Sequence, residues 1–181
     1  MQLALPDLTV DLTTDRGVFA RDAIDPGTKL LLLEAPPLPP AGHLLDLGCG
    51  YGAIAVTMAR RSPSSTVWAV DVNRRAVALT AANATAAGCE NVRAVEPGDV
   101  PDDVRFSTIW SNPPIRIGKA ELHDLLLHWF GRLTPDGQAV LVVQKHLGAD
   151  SLARWLEERG HSVTRLRSRI GYRLLQVDGA A

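Results

Sequence analysis

Two short stretches carry side chains able to do chemistry. Ser111-Asn112-Pro113-Pro114-Ile115 presents an amide and a carbonyl on a loop stiffened by consecutive prolines. Each proline fixes its own φ and pushes the residue before it to extended backbone. The Asn112 side-chain oxygen and the Pro113 carbonyl can each accept one hydrogen of a planar amino group. An aryl or amide nitrogen is a poor nucleophile while its lone pair is delocalised. Gripping both hydrogens turns that lone pair toward an electrophile, and proximity and in-line orientation do the rest. No general base need act first, because the proton can leave after the new bond forms. Read alone, the stretch is also an ordinary proline-terminated turn.

The second stretch, Asp46-Leu47-Gly48-Cys49-Gly50-Tyr51-Gly52, follows an apolar run. Glycine there lets the backbone turn sharply and approach a ligand with no Cβ in the way. Doubly wound sheets bind ligands at the carboxyl ends of their strands, where strand order reverses. The turn is therefore a candidate cradle for a nucleotide-like cofactor. Asp71, ending the next strand, is placed to accept from both ribose hydroxyls, and Asp99, after the third, to reach an adenine ring. Gly48 to Ala53 also satisfies the loose dinucleotide pattern G-x-G-x-x-G/A, so nicotinamide binding is one alternative and a bare strand-to-helix turn another. Asp46 disfavours a pyrophosphate neighbour and suits a cationic amine.

The surrounding elements must hold these stretches together. Asp25-Pro26 reads as an N-cap followed by proline at the first helical position, opening a short helix to about Ala35. Pro36 to Pro40 is a stiff extended connector. Strand and helix signals then alternate: strand 43–47, helix 53–60, strand 66–70, a helix capped by Asn73 and stopping near Gly88, and strands 92–96 and 106–110. Leu122, Leu125, Leu126, Trp129 and Leu133 recur at helical spacing as one buried stripe. Strand 139–143 and a helix facing Leu152, Trp155 and Leu156 inward, closed by Gly160, come next. The last strands, 161–170 and 172–177, flank Gly171 too closely for a crossover helix and must form an antiparallel hairpin. The expected fold class is α/β: a Rossmann-like, seven-stranded, mostly parallel sheet with helices on both faces and an antiparallel carboxy-terminal hairpin. Residues 1–181 read as one domain, with segment 1–40 closing the pocket of a core at 41–181.

Composition narrows the classes further. With 46% hydrophobic and 22% charged residues, the chain is ordinary globular material. A formal charge of -1 supplies no global pull toward nucleic acid or anionic lipid, so an RNA partner would need a local basic patch. Cys49 and Cys89 fit neither a disulfide framework nor a zinc spacing, and His123 and His128 lack companion ligands, so no metal is expected. Met1 to Leu12 does not resemble a signal peptide and no run is long enough to span a bilayer. The expectation is a soluble, cytoplasmic protein with no membrane partner. Trp110 and Trp129 read as core. Arg165, Arg167 and Arg169 alternate on one strand and would share a face with phosphate-binding potential. A charged edge strand is an equal reading. Arg116, Lys119, Lys145 and His146 should gather where strands end.

Taken together, Asp46 to Gly52, then Asp71-Val72-Asn73, then Ser111 to Ile115 resemble the class I methyltransferase "small domain" family, whose bacterial members include 16S ribosomal RNA guanine-N2 methyltransferases. The likeness extends to Gly17-Val18-Phe19-Ala20-Arg21-Asp22, to Asp25 through Leu32, to Arg116 through Lys119, and to Gly171-Tyr172-Arg173. The resemblance implies S-adenosyl-L-methionine as cofactor. It places Asp46, Gly48 and Gly50 at the methionine portion, Asp71 at the ribose and Asp99 at the adenine. Asn112 and Pro113 would grip the target amine, with Asn112 also bordering the cofactor, and Phe19 and Thr28 would close the pocket. Pro114, Ile115, Arg116 and Lys119 would meet the acceptor. The implied reaction is methylation of an exocyclic amine, guanine N2 in ribosomal RNA. A protein glutamine amide and a non-catalytic cofactor-binding module remain the alternatives.

Overall fold

The elements of this computed structural model, which describes residues 1–15 and 23–179, follow from alternation along the strands. Strands β3 (Ala41–Leu47), β4 (Ser64–Val70), β5 (Val92–Val95), β6 (Phe106–Ser111) and β7 (Leu133–Gln144) run parallel. Strand β9 (Tyr172–Asp178) pairs antiparallel with β7, and β8 (Val163–Arg169) antiparallel with β9. The sheet has seven strands in the order β5-β4-β3-β6-β7-β9-β8, where β1 (Gln2–Ala4) and β2 (Thr9–Asp11) are a separate antiparallel ribbon. The chain winds outward from β3 to β5, then returns to place β6 against the other side of β3. That reversal is the switch point at which such sheets bind ligands.

Successive strand residues face opposite layers. Leu44, Trp110, Val140 and Val142 pack with α1 (Pro26–Glu34), α2 (Ala53–Arg61) and α3 (Arg74–Ala86). Leu45, Ile109, Leu141 and Val143 pack instead with α4 (Lys119–Phe130) and α5 (Ala149–Glu157). Trp110 and Trp129 are both buried, as core residues should be.

The amino-terminal segment is stitched to this frame rather than merely laid on it. Leu3, Val10 and Leu12 are buried in the same layer as α1 to α3. Arg61 donates to the Asp7 carboxylate at 2.7 and 2.9 Å and to the Leu32 carbonyl at 2.8 Å. The Asn83 side chain donates to the Thr13 carbonyl at 2.8 Å and the Tyr51 carbonyl at 2.7 Å, and accepts from the Thr13 amide at 2.8 Å. Helix α1 begins as its sequence dictates: Asp25 accepts from the Thr28 amide at 2.9 Å, and Pro26 occupies the first turn.

Two expectations are corrected and one is refined. Leu133 does not extend the α4 stripe, because α4 ends at Phe130 with Gly131 as its cap. Leu133 instead opens β7 opposite Phe106, well before Ala139, and the register slips before Gln138 meets Thr108. Trp155 packs against the same layer as Leu152 and Leu156 but is only half-buried there. Its ring stacks on His123 at 3.5 Å between centroids and lies under the Arg159 guanidinium. The three arginines of β8 do not share a face. Arg165 pairs with Leu175 and Arg167 with Leu174, so Leu166 is an extra residue. Such a bulge reverses the alternation beyond it. Arg165 accordingly reaches Asp150 on α5, while Arg167 reaches Glu34 on α1, in the opposite layer.

Candidate active site

The turn after β3 is held by backbone and by carboxylate. The Gly48 and Cys49 amides donate to the Val70 carbonyl at 2.8 and 3.0 Å, and the Gly50 amide donates to Asp71 Oδ2 at 3.0 Å. Gly48, Gly50 and Gly52 all have positive φ, the conformation that excludes most side chains. At Gly52 a Cβ would also lie 2.9 Å from Thr80 Cγ2. Thr80 Oγ1 donates to the Gly50 carbonyl at 3.1 Å, closing the turn from α3. Asp71 spends its other oxygen on the Asn73 amide at 2.9 Å.

The loop after β6 faces this turn. Ser111 Oγ donates to the Leu47 carbonyl at 2.6 Å, tying the two strand ends together. A Cβ built on Gly48 would stand 4.0 Å from Pro114 Cδ. The Asn112 Nδ2 donates to Asp25 Oδ2 at 2.9 Å and Thr28 Oγ1 at 3.0 Å. Among the described residues its amide oxygen meets no donor. The Pro113 carbonyl accepts from the Ile115 amide at 2.8 Å, which leaves one of its two lone pairs.

Between the two loops lies a cavity of about 600 Å³, within the usual range for small-molecule sites. Thr28, Gly48, Gly50, Asp71, Asn112, Pro113, Pro114, Ile115 and Arg116 border it, as do Tyr51 and Trp129. Three expected residues stand elsewhere. Asp46 is fully buried beneath the turn, because strand alternation aims it inward at the start of α2, where its Oδ2 accepts from the Ala55 amide at 2.9 Å. Asp99 is exposed on the 3-10 turn Pro97–Asp99, and Pro97 takes the place at the cavity edge. Lys119 borders a smaller neighbouring cavity of about 180 Å³, which shares Ile115 and Leu147 with the larger one. Phe19 lies outside the described residues, as does the stretch from Gly17 to Asp22.

The electrostatics fit a cationic guest near the turn. Asp46 Oδ1 is buried with no hydrogen-bond partner among the described residues. Burial foremost, and the nearby Asp71 charge, push its carboxyl up to about 8, offset in part by the Ala55 amide. A cation in the cavity above the turn would favour its ionised form through space, without touching it. The Cys49 thiol is pushed up by burial, which leaves it inert as a nucleophile. No group of three or more metal-ligating side chains occurs among the described residues. No helix among them is long and apolar enough to cross a membrane.

Sequence reasoning missed the residues that hold Asn112. Asp25 was expected only to cap α1, yet it accepts from Asn112 as well. Tyr172 donates to Asp25 Oδ1 at 3.4 Å, and Gln144 Nε2 donates to the Tyr172 hydroxyl at 2.9 Å. Gly27 makes room for that ring: a Cβ there would lie 2.5 Å from Tyr172 Cε1. A glycine inside a strong helical start was the one signal in the sequence, and it names no partner.

The reversed strand order and the facing loops define a Rossmann-like methyltransferase architecture. The family model described as Methyltransferase small domain matches residues 9–176, and the chain belongs to that family. S-adenosylmethionine is the methyl donor the family uses. The chain is 35% identical over 170 residues to the uncharacterized protein YbxB of Bacillus subtilis, covering 91% of this chain and 84% of that one. It is 38% identical over 117 residues to ribosomal RNA small subunit methyltransferase C of Pseudomonas putida, covering 65% of this chain and 35% of the relative. Among solved structures, the Thermus thermophilus 16S rRNA N2 G1207 methyltransferase RsmC, in complex with AdoMet and guanosine, superposes with a TM-score of 0.83 at 26% identity. That likeness covers 98% of this chain and 49% of RsmC. The chain thus spans half or less of these ribosomal RNA methyltransferases and most of YbxB.

Proposed function

We propose that this protein methylates an exocyclic amine, guanine N2 of ribosomal RNA, using S-adenosylmethionine. The observation that carries the reading is the Asn112 amide: its nitrogen is committed to Asp25 and Thr28, so its oxygen remains as an acceptor opposite the glycine turn. Only a hydrogen-bearing nucleophile can engage that oxygen, and the free lone pair of the Pro113 carbonyl suits the second hydrogen. The donor supplies an electrophilic methyl group. Gly48 and Gly50 would admit its methionine portion, Asp46 would answer the ammonium from below, and Asp71 would meet the ribose. Asp99 is exposed, so the Pro97 edge is the better candidate for adenine contact. Pro114, Ile115 and Arg116 would receive the acceptor base, with Lys119 at the adjoining cavity meeting flanking phosphate. Phe19 and Thr28 would close the pocket as parts of one domain spanning 1–181. The relatives named as ribosomal RNA methyltransferases, and the guanosine in the RsmC structure, support the choice of acceptor.

The test is incubation with isotopically labelled donor and separate RNA and protein fractions, followed by mass-resolved nucleoside analysis. N2-methylguanosine is the expected product. Label confined to the protein fraction, or to a nucleoside other than guanosine, refutes the reading. An unmodified acceptor pool would favour a binding module.

A further inference from the structure

Asn112 could present either end of its amide to an acceptor, and the two ends have opposite hydrogen-bonding character. What decides between them is not on its own loop. Asp25 Oδ2 lies 2.9 Å from Asn112 Nδ2, across 87 positions of chain. An ionised carboxylate only accepts, so the NH2 end must face it. The reversed amide would set a carbonyl oxygen against a charged oxygen. Thr28, whose hydroxyl takes the second Nδ2 hydrogen at 3.0 Å, can donate or accept and imposes no direction.

We propose that Asp25 is a positioning residue that fixes the direction of the Asn112 amide, so that the catalytic loop offers its acceptor rather than its donor. The inference rests on the proposed methylation of an amine and deepens it. It makes the first turn of α1 part of the selection of the nucleophile. An NH2-bearing acceptor finds a carbonyl oxygen, and a group that only accepts finds none of its own partners. Tyr172 and Gln144 brace the other side of Asp25 through the 3.4 and 2.9 Å bonds.

The capping role of Asp25 can be separated from this one by substitution. Serine caps helices as well as aspartate, but its hydroxyl is too short to reach Asn112. Asparagine keeps an acceptor oxygen of the original length, held toward Asn112 because the Thr28 amide donates to that same oxygen. Asp25→Ser should therefore lower kcat on the RNA acceptor about 10- to 100-fold, the worth of a hydrogen bond to a charged group. Its donor affinity should stay near that of the parent. Asp25→Asn should recover most of the lost rate. Thr28→Val supplies a second reading if Asp25→Ser fails to fold: it removes one of the two Nδ2 partners and should cost a few-fold in kcat. Wild-type kcat in Asp25→Ser, or equal losses in the serine and asparagine variants, overturns the positioning role alone. A wild-type protein that modifies no amine sinks the methylation reading along with it.

Discussion

The two walls of the cavity are held by bonds of different reach. The glycine-turn wall is closed between adjacent strand–helix units, from residue 48 to residue 80: backbone amides of Gly48 and Cys49 on Val70, the Gly50 amide on Asp71, Thr80 on Gly50. The Asn112 wall depends on side chains drawn from α1, β7 and β9, namely Asp25, Thr28, Gln144 and Tyr172. A wall made between residues 48 and 80 forms once two successive strand–helix units have paired. A wall made by distant side chains exists only once the whole sheet has closed. Damage to the second should therefore reach turnover while sparing the first.

The strongest test of that separation is Asn112→Ala. Losing one preorganised hydrogen-bonding group at a reacting centre costs about 10²–10³ in kcat, and donor affinity measured by calorimetry should be nearly unchanged. Equal losses in both would merge the two walls. Asp46→Asn probes the opposite wall through pH. The folded chain holds the Asp46 proton up to about 8, well above its ordinary value of 3.8. The unfolded chain releases that proton earlier, so native stability falls as pH rises from about 4 to about 8 and then levels. The asparagine variant removes that decline, a difference on the order of a few kcal/mol at the alkaline end. Thermal melts across that range check it, and parallel curves for the two proteins would contradict it. Gly27→Ala forces a methyl into the Tyr172 ring. The expected cost is about 1–3 kcal/mol of overpacking, with lowered kcat and preserved donor binding, read by melts and single-turnover rates. The smallest effect belongs to neither wall. Ile170 is exposed with φ 52 at the tip of the β8–β9 hairpin, and Ile170→Gly should add about 1 kcal/mol by relieving a conformation costly to branched side chains.

This difference in reach also decides what could be read from the sequence. The glycine turn, Asp71, the Asn112 loop and the alternating elements were legible because each is written in consecutive residues or in a period. Asp25 as a cap was equally legible; Asp25 as a partner of Asn112 was not, since nothing local encodes a contact 87 positions away. Asp99 shows the converse failure. A carboxylate following a strand looked well placed, but the 3-10 turn at Pro97 carries it outward. The β8 arginines were misjudged for a third reason. A bulge has no period, so the inserted Leu166 could not be seen before the pairing was known.

Asn83 carries a consequence of its own. One buried carboxamide joins Thr13, two residues past the amino-terminal ribbon, to Tyr51 in the glycine turn, with all three contacts at 2.8 Å or less. It works as a latch between outer edge and cavity floor. A guest that quiets the floor should slow deuterium uptake at the ribbon, although it touches no part of it.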